Sequence, residues 1–335
     1  MLNFGIIGAG RLGTTHAGNL VKIENAKLAA VYDIDPAKAE AMRDAFGPAI
    51  CASAEELADR VDAVVVATPS DCHLDGVRAA VHAGKHVFTE KPLCRFAEQA
   101  EEYRTLLRGF DKVFGIGFVR RHMGKTQRFK SLLDEGKIGR IRFCNVDLPF
   151  GAYRRMPGDW FTEYNRSGGV ILDMLAHHMD LANWFFGKAV RVYAQGMLLD
   201  PTQELPSDYV SATVTYESGA IVNMMCSWQR FGRSGEMMEV YGEKGALTLS
   251  SADTIGYAPL GGEAREIDAA EVSADSSGVN NARTGNGFMN EMKHFISCIA
   301  SGETYSPGIP EAFASFAVAE GMMRSAETGK VVTIA

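Results

Sequence analysis

The chain has 335 residues, 46% hydrophobic and 22% charged, with a formal net charge of −7. That length suits two domains rather than one small core, and the composition is that of an ordinary globular chain. Net acidity excludes a general nucleic-acid binder, and the absence of a long apolar run or of a signal-like start in "MLNFGIIGAG" leaves no membrane partner to expect.

Residues 3–8 predict a short buried strand, and "GAGRLGTTHAGNLV" predicts a glycine turn that opens a helix. "KLAAVYDID" is a second strand, followed by the helix "PAKAEAMRDAFG" with proline first and glycine after its end. "VDAVVVATP" is β-branched and reads as a strand buried on both faces. The helix "HLDGVRAAVHAG", the strand "KHVFTE", the helix "FAEQAEEYRTLLRG" and the strand "KVFGIGFV" continue the alternation to about residue 118. Such alternation predicts an α/β fold, a doubly wound parallel sheet of Rossmann type over residues 1–120.

From about residue 125 the pattern changes. "RIRFCNVDL", "AVRVYAQGML", "DYVSATVTYE", "AIVNMMCSWQ", "MMEVYGE" and "ALTLSS" read as strands, with "ESGA" and "GEKGA" as turns between neighbours. Residues 121–335 are therefore expected to form an α+β domain on a large, mostly antiparallel open sheet. The stretch 270–287 reads as polar loop, a flexible surface or a lid, and two helices close the chain. Six scattered cysteines form no CxxC pair, which excludes a zinc ribbon and fits free thiols in a reducing cytoplasm. The cluster Arg120, Arg121, His122, Lys125, Arg128 and Lys130 reads either as a solvated helix face or as a cleft for an anionic ligand.

Within "GAGRLG", Gly8, Gly10 and Gly13 have the GxGxxG spacing between a strand and a helix, and Asp33 ends the next strand. Gly8 permits the tight turn, Gly10 lets a pyrophosphate approach the backbone, and Gly13 allows close helix–strand packing. Free N–H groups at the helix start suit the phosphates. Arg11 and Leu12 lie in the same turn and count with the cofactor contacts. Asp33 can accept hydrogen bonds from ribose hydroxyls and would repel a 2′-phosphate, so NAD is expected over NADP, with Arg11 and Lys38 the cations that argue the other way.

"GGVILDMLAHHMD", residues 168–180, reads as part of one buried helix running to about 187. Asp173, His177 and Asp180 then stand at i, i+4 and i+7 on one face, with His178 pointing away. No HExxH or Cys/His cluster accompanies them, so no metal is expected. His16, His82, His86, His122 and His294 have no comparable setting.

"GAGRLG", "ATPSDCH", "AGKHVFTEKPL", "GFVRRH" and "GGVILDMLAHHMD" occur in this order. In that combination the chain resembles, over essentially its whole length, the glucose–fructose oxidoreductase / inositol dehydrogenase (Gfo/Idh/MocA) family. The resemblance implies that Lys91 contacts substrate and nicotinamide, with a cis peptide to Pro92. It implies that Glu90, Thr68, Pro69, His73 and Arg121 lie by the cofactor. It further implies that Asp173 and His177 line the substrate pocket, with His177 as acid–base, and that Asp180 contacts substrate hydroxyls. Tyr153 and Trp160, just before the helix, are candidates for choosing the substrate. Leu175 stands where many members have glycine, and "RFGRSG" where inositol dehydrogenases carry a "YGY" segment, which weighs against myo-inositol itself.

The expected reaction is hydride transfer between a CH–OH group of a sugar, cyclitol or related polyol and NAD. His177 would take the hydroxyl proton, Lys91 would stabilise the alkoxide, and Asp173 would orient its neighbours. An enzyme that recycles bound NAD without net redox, or a silent ligand sensor, are the alternatives on the same fold. A homodimer or homotetramer formed through the open sheet is implied by the resemblance; an uncovered apolar face of that sheet, for which "VSATVTY" and "IVNMMCSW" are candidates, would need such a partner.

Overall fold

The computed structural model describes residues 1–149, 159–229, 235–269 and 287–334. The chain packs as two compact units, Met1–Val119 with Asn286–Phe313, and Arg120–Gly285 with Ala314–Ala335.

In the first unit strands and helices alternate: β1 (Leu2–Ile7), α1 (Arg11–Leu20), β2 (Ala26–Tyr32), α2 (Pro36–Phe46), β3 (Ala49–Ile50), α3 (Ala54–Asp59), β4 (Ala63–Val66), α4 (His73–His82), β5 (His86–Thr89), α5 (Ala97–Leu106) and β6 (Phe114–Ile116). All ladders are parallel, in the order β3-β2-β1-β4-β5-β6. The sheet order reverses at β1, so the loops after β1 and β4 diverge and leave the crevice where doubly wound sheets bind ligands. Every residue of β4 is buried, as a strand covered on both faces requires. Local signals fix the helix ends. Asp35 caps α2 by accepting the Ala37 N–H at 3.1 Å, Pro36 is its first residue, and Gly47 closes it at φ 82°.

The second unit continues with α6 (Gly124–Asp134), β7 (Ile141–Pro149), α7 (Tyr164–Ser167), α8 (Gly169–Asp173) and α9 (Ala176–Phe186). Then come β8 (Ala189–Met197), β9 (Tyr209–Tyr216), β10 (Ile221–Ser227), β11 (Met237–Gly242), β12 (Gly245–Ser250), β13 (Thr254–Pro259) and β14 (Arg265–Asp268). After α10 (Gly287–Ser301) and α11 (Ile309–Thr328), the short β15 (Val332–Thr333) completes a nine-stranded sheet ordered β14-β13-β12-β11-β7-β10-β9-β8-β15. Among the described residues only β7 and β10 of this sheet pair in parallel; its other ladders are antiparallel. Alternation sorts the residues of β9: Val210, Ala212, Val214 and Tyr216 are buried, while Ser211 and Thr213 are exposed. The outward face is mixed rather than apolar. Thr213, Asn223 and Asn145 form a hydrogen-bonded row across it, and Phe143 stacks on Tyr241 at 4.4 Å.

A division at residue 120 that assigns everything later to the second domain needs correcting for one segment. Helix α10 packs with the first unit, because Met292, Phe295 and Ile296 join the core around Phe4 and Phe88. The Phe295 ring meets Phe4 at 6.4 Å and Phe88 at 5.5 Å, both edge-on. No helix among the described residues is long and apolar enough to cross a membrane. All six cysteines are free, and burial pushes the thiols of Cys94, Cys144 and Cys226 well up.

Candidate active site

The turn after β1 shows why its glycines stand where they do. Gly8 has φ +98°, and a Cβ there would lie 2.7 Å from the Ala67 carbonyl. At Gly13 a Cβ would lie 1.9 Å from the Gly8 oxygen, whereas at Gly10 nothing stands within 4 Å. Sterics therefore demand glycine at 8 and 13, and Gly10 leaves open space over the backbone. Gly10 is the N-cap of α1, with no side-chain cap and no acidic residue in the first turn, so the helix start keeps its positive end for an anion. Asp33 ties this turn to the next strand: Oδ2 accepts the Ala9 N–H at 2.6 Å and Oδ1 accepts the Asp35 N–H at 2.8 Å. Arg11 is exposed and Leu12 half-buried in the same turn. Beside Asp33, Ile34 offers a bare apolar surface, 91% exposed. An open cradle at a helix start, a fixed carboxylate and an apolar ledge fit a dinucleotide.

Strand β5 delivers Glu90, Lys91 and Pro92, and the Lys91–Pro92 peptide is cis. Lys91 is half-buried, as are Thr68 and Pro69 after β4. Glu90, expected at the cofactor, turns inward instead. It is 3% exposed, its Oε1 lies 2.7 Å from His16 Nε2, and Gly117 gives it room, since a Cβ there would lie 2.9 Å from Oε2. His73 is likewise buried. Its Nδ1 lies 2.8 Å from the Pro92 oxygen and its Nε2 2.9 Å from the Thr68 oxygen. Burial lowers its pKa, opposed by these carbonyls and by the Glu90 charge.

Glu291 on α10 is fully buried near this pair, and neither of its carboxylate oxygens has a hydrogen-bond partner. Burial first, then the Glu90 charge, pushes its carboxyl well above the ordinary range, which favours the protonated form. A carboxyl whose folded pKa is raised binds protons more tightly in the native state. Its stabilising contribution is full below the unfolded value of about 4.3 and is lost as pH rises through the folded value. Glu291→Gln, neutral at every pH, is therefore expected to gain on the parent chain between pH 5 and pH 9. Urea midpoints at several pH values read this; parallel curves for the two proteins would contradict it.

In the second unit the expected single helix over 168–187 is broken. Gly168 and Gly169 both have positive φ, α8 ends at Asp173, and the Leu175 amide reaches back to the Val170 carbonyl at 3.4 Å. The same carbonyl accepts the Met174 amide at 3.2 Å, and a tighter turn follows, with the His178 amide on the Leu175 carbonyl at 2.9 Å, so a short interruption at Met174 and Leu175 separates Asp173 from His177 and Asp180. Asp173 is buried at the end of α8, and His177 is half-buried in the first turn of α9. Asp180, expected at substrate hydroxyls, and Arg121, expected at the cofactor, face each other. Arg121 Nε donates to Asp180 Oδ2 at 2.7 Å and Nη2 to Oδ1 at 2.6 Å, with Arg121 4% and Asp180 1% exposed. Trp184 covers the guanidinium at 5.1 Å.

Within the basic cluster, most of the charges have partners in the same unit, and Arg128 and Lys130 pair with exposed acids, as on a solvated helix face. Arg120 pairs with Glu236, Arg128 with Glu135 and Lys130 with Asp134, and Lys125 donates to the carbonyls of Ser250 and Ala252. His178 is buried 3.7 Å from Glu236, and burial, then Arg120, holds its pKa well below the ordinary value. Trp160 is half-buried and stacks on Phe161 at 3.9 Å. Tyr153 lies outside the described residues. Sequence reasoning missed His16 and Glu291. The phase of α1 gives the burial of His16, since Gly13, His16, Ala17 and Leu20 share its inner face, but nothing in the sequence names its partner.

Residues 2–118 match the oxidoreductase family with an NAD-binding Rossmann fold, and residues 126–248 match the GFO/IDH/MocA C-terminal domain. The inositol 2-dehydrogenase of Rhizobium meliloti is 28% identical over 340 residues, covering 100% of this chain and 99% of that protein. The myo-inositol 2-dehydrogenase of Thermotoga maritima is 31% identical, covering 73% of this chain and 74% of that protein. A solved levoglucosan dehydrogenase in complex with NADH and L-sorbose shares the fold, with a TM-score of 0.88 at 20% identity, covering 100% of this chain and 99% of the other.

Proposed function

The chain belongs to the GFO/IDH/MocA oxidoreductase family, and from that premise we propose that it oxidises a CH–OH group of a cyclitol, sugar or related polyol. The observation that carries this reading is the full-length likeness to an inositol 2-dehydrogenase, with the lysine turn and the Asp173/His177 segment both present. The residues around the glycine turn would hold NAD: backbone N–H groups of 10–13 at the pyrophosphate, and Asp33 at the ribose. NAD bound there supplies the hydride acceptor. His177 takes the hydroxyl proton as general base, and the Lys91 ammonium stabilises the alkoxide as the carbon–hydrogen bond breaks. Asp173 orients His177 or the substrate, and Trp160 contributes to the choice of substrate. Asp180 and Arg121, satisfied by each other, act as scaffold. Exposed Phe143, Tyr193, Met197 and Ile221 on the open sheet support a homodimer or homotetramer through that face.

The test is nicotinamide absorbance with purified protein, NAD or NADP, and a panel of inositols, sugars and sugar acids. NADH formation with one substrate class is the expected result. No reduction across the panel, with NAD still bound, would favour the internally recycling enzyme or the sensor. NAD is expected to serve better than NADP, because the Asp33 carboxylate repels a 2′-phosphate. Asp33→Ala is expected to weaken NAD binding at least about tenfold, the worth of a charge-assisted hydrogen bond, and to narrow the gap to NADP. A titration of NAD and NADP into both proteins reads it.

A further inference from the structure

Two buried histidines of the first unit have no part in the chemistry above, yet both spend ring nitrogens on the residues that flank Lys91. His16 is 0% and His73 1% exposed. A buried imidazole is costly unless its polar atoms are used, so each contact needs a reason. His16 Nε2 holds the Glu90 carboxylate at 2.7 Å, on the residue before Lys91. His73 Nδ1 lies 2.8 Å from the Pro92 oxygen, on the residue after it, and Nε2 lies 2.9 Å from the Thr68 oxygen; a neutral ring donates to one carbonyl at a time, and its Nδ1–H tautomer is the one that holds Pro92. The His16 ring is itself fixed edge-on between Phe88 at 5.4 Å and Phe288 at 5.8 Å.

His16, Glu90 and Glu291 also offer the donors of a metal site, all within 4.8 Å of one another. Two ligands of a tetrahedral ion with bonds of about 2.0–2.1 Å stand about 3.3 Å apart. The 2.7 Å between His16 and Glu90 is hydrogen-bond length instead.

We infer that His16 and His73 are positioning residues for Lys91, gripping Glu90 and Pro92 so that the ammonium between them is aimed. A lysine has a long flexible stem, so a fold directs it chiefly by fixing the backbone at its root. Here both neighbours of that root are held, one through a side chain and one through a carbonyl, by rings that never touch substrate. The inference rests on the role proposed for Lys91, and misplacement by about 1 Å would cost turnover on the order of 100-fold.

The test reads Lys91 directly. Acetic anhydride labels lysines at a rate set by their surroundings, and peptide mass spectrometry gives Lys91 relative to exposed Lys27 and Lys38 in the same sample. His16→Phe and His73→Phe keep an aromatic ring and remove the nitrogens. Each is expected to change the Lys91 ratio by at least about threefold, the scale on which one lost hydrogen bond acts, with NAD binding retained. His73→Gln, which can still donate to one carbonyl, should restore part of the change. If a phenylalanine variant does not fold, the asparagine variant, too short to reach the same partner, takes its place. An unchanged Lys91 ratio in the folded variants overturns the inference. Failure of the underlying reading looks different: Lys91→Ala would then turn over polyol as fast as the parent chain, whatever the labelling shows.

Discussion

Replacing His177 with alanine is expected to lower NADH formation about 10²–10⁴-fold, the range a positioned general base contributes, while NAD affinity stays within about twofold. The two effects separate because the residues assigned to the cofactor, Gly8, Gly10, Gly13 and Asp33, lie in the first unit, and His177 lies in α9 of the second. His177 is half-buried near the start of its helix, so its loss opens no large cavity in the core. Initial rates at saturating polyol give the first number, and a fluorescence titration with NADH gives the second. Turnover equal to the parent would remove His177 from the mechanism and leave proton transfer to Lys91. Loss of both turnover and NAD binding would mean that the residue acts on the fold.

The second large effect is on stability. Asp180→Ala is expected to cost about 3–5 kcal/mol of unfolding free energy, because it strands the Arg121 guanidinium in a site that is 4% exposed. The cost belongs to the uncompensated charge rather than to the pair, so removing both should cost less than removing one. Asp180→Leu with Arg121→Met is accordingly expected to recover much of the loss. Urea unfolding of the single and double variants forms the cycle. A stable Asp180→Ala protein with a raised KM for polyol would instead return Asp180 to the substrate, where its position in the family motif alone would put it.

These two residues also mark the limit of what could be read beforehand. The glycine turn, the acid at the end of β2 and the strand–helix alternation are local patterns, and each is legible because its cause lies within a few residues. Gly8 must have positive φ, Gly13 must let α1 approach the turn, and β4 must be apolar on both faces. The partners of Asp180 and Glu90 lie 59 and 74 residues away, and no spacing rule reaches that far. A carboxylate in a functional motif reads as a ligand group until its partner is known; here both turn to buried cations or imidazoles. The helix over 168–187 failed for a different reason. Apolar periodicity persists through a short change of hydrogen-bond pattern, so the interruption at Met174 and Leu175 is invisible in the sequence. The outward face of the large sheet was read as apolar from strands whose buried residues are indeed apolar, although threonine and asparagine occupy the alternate positions.

The return of α10 to the first unit has a consequence for how the protein is made. When residue 119 leaves the ribosome, the parallel sheet is complete in strands but not in core, because the side of Phe4 and Phe88 that Phe295 and Tyr305 will cover is still bare. The covering segment ends near residue 313, so at about 5–20 residues per second the nascent chain waits roughly 10–40 s with that apolar surface unprotected. A fragment cut at residue 120 is therefore expected to aggregate, because of the order in which the chain emerges rather than any weakness of the finished fold.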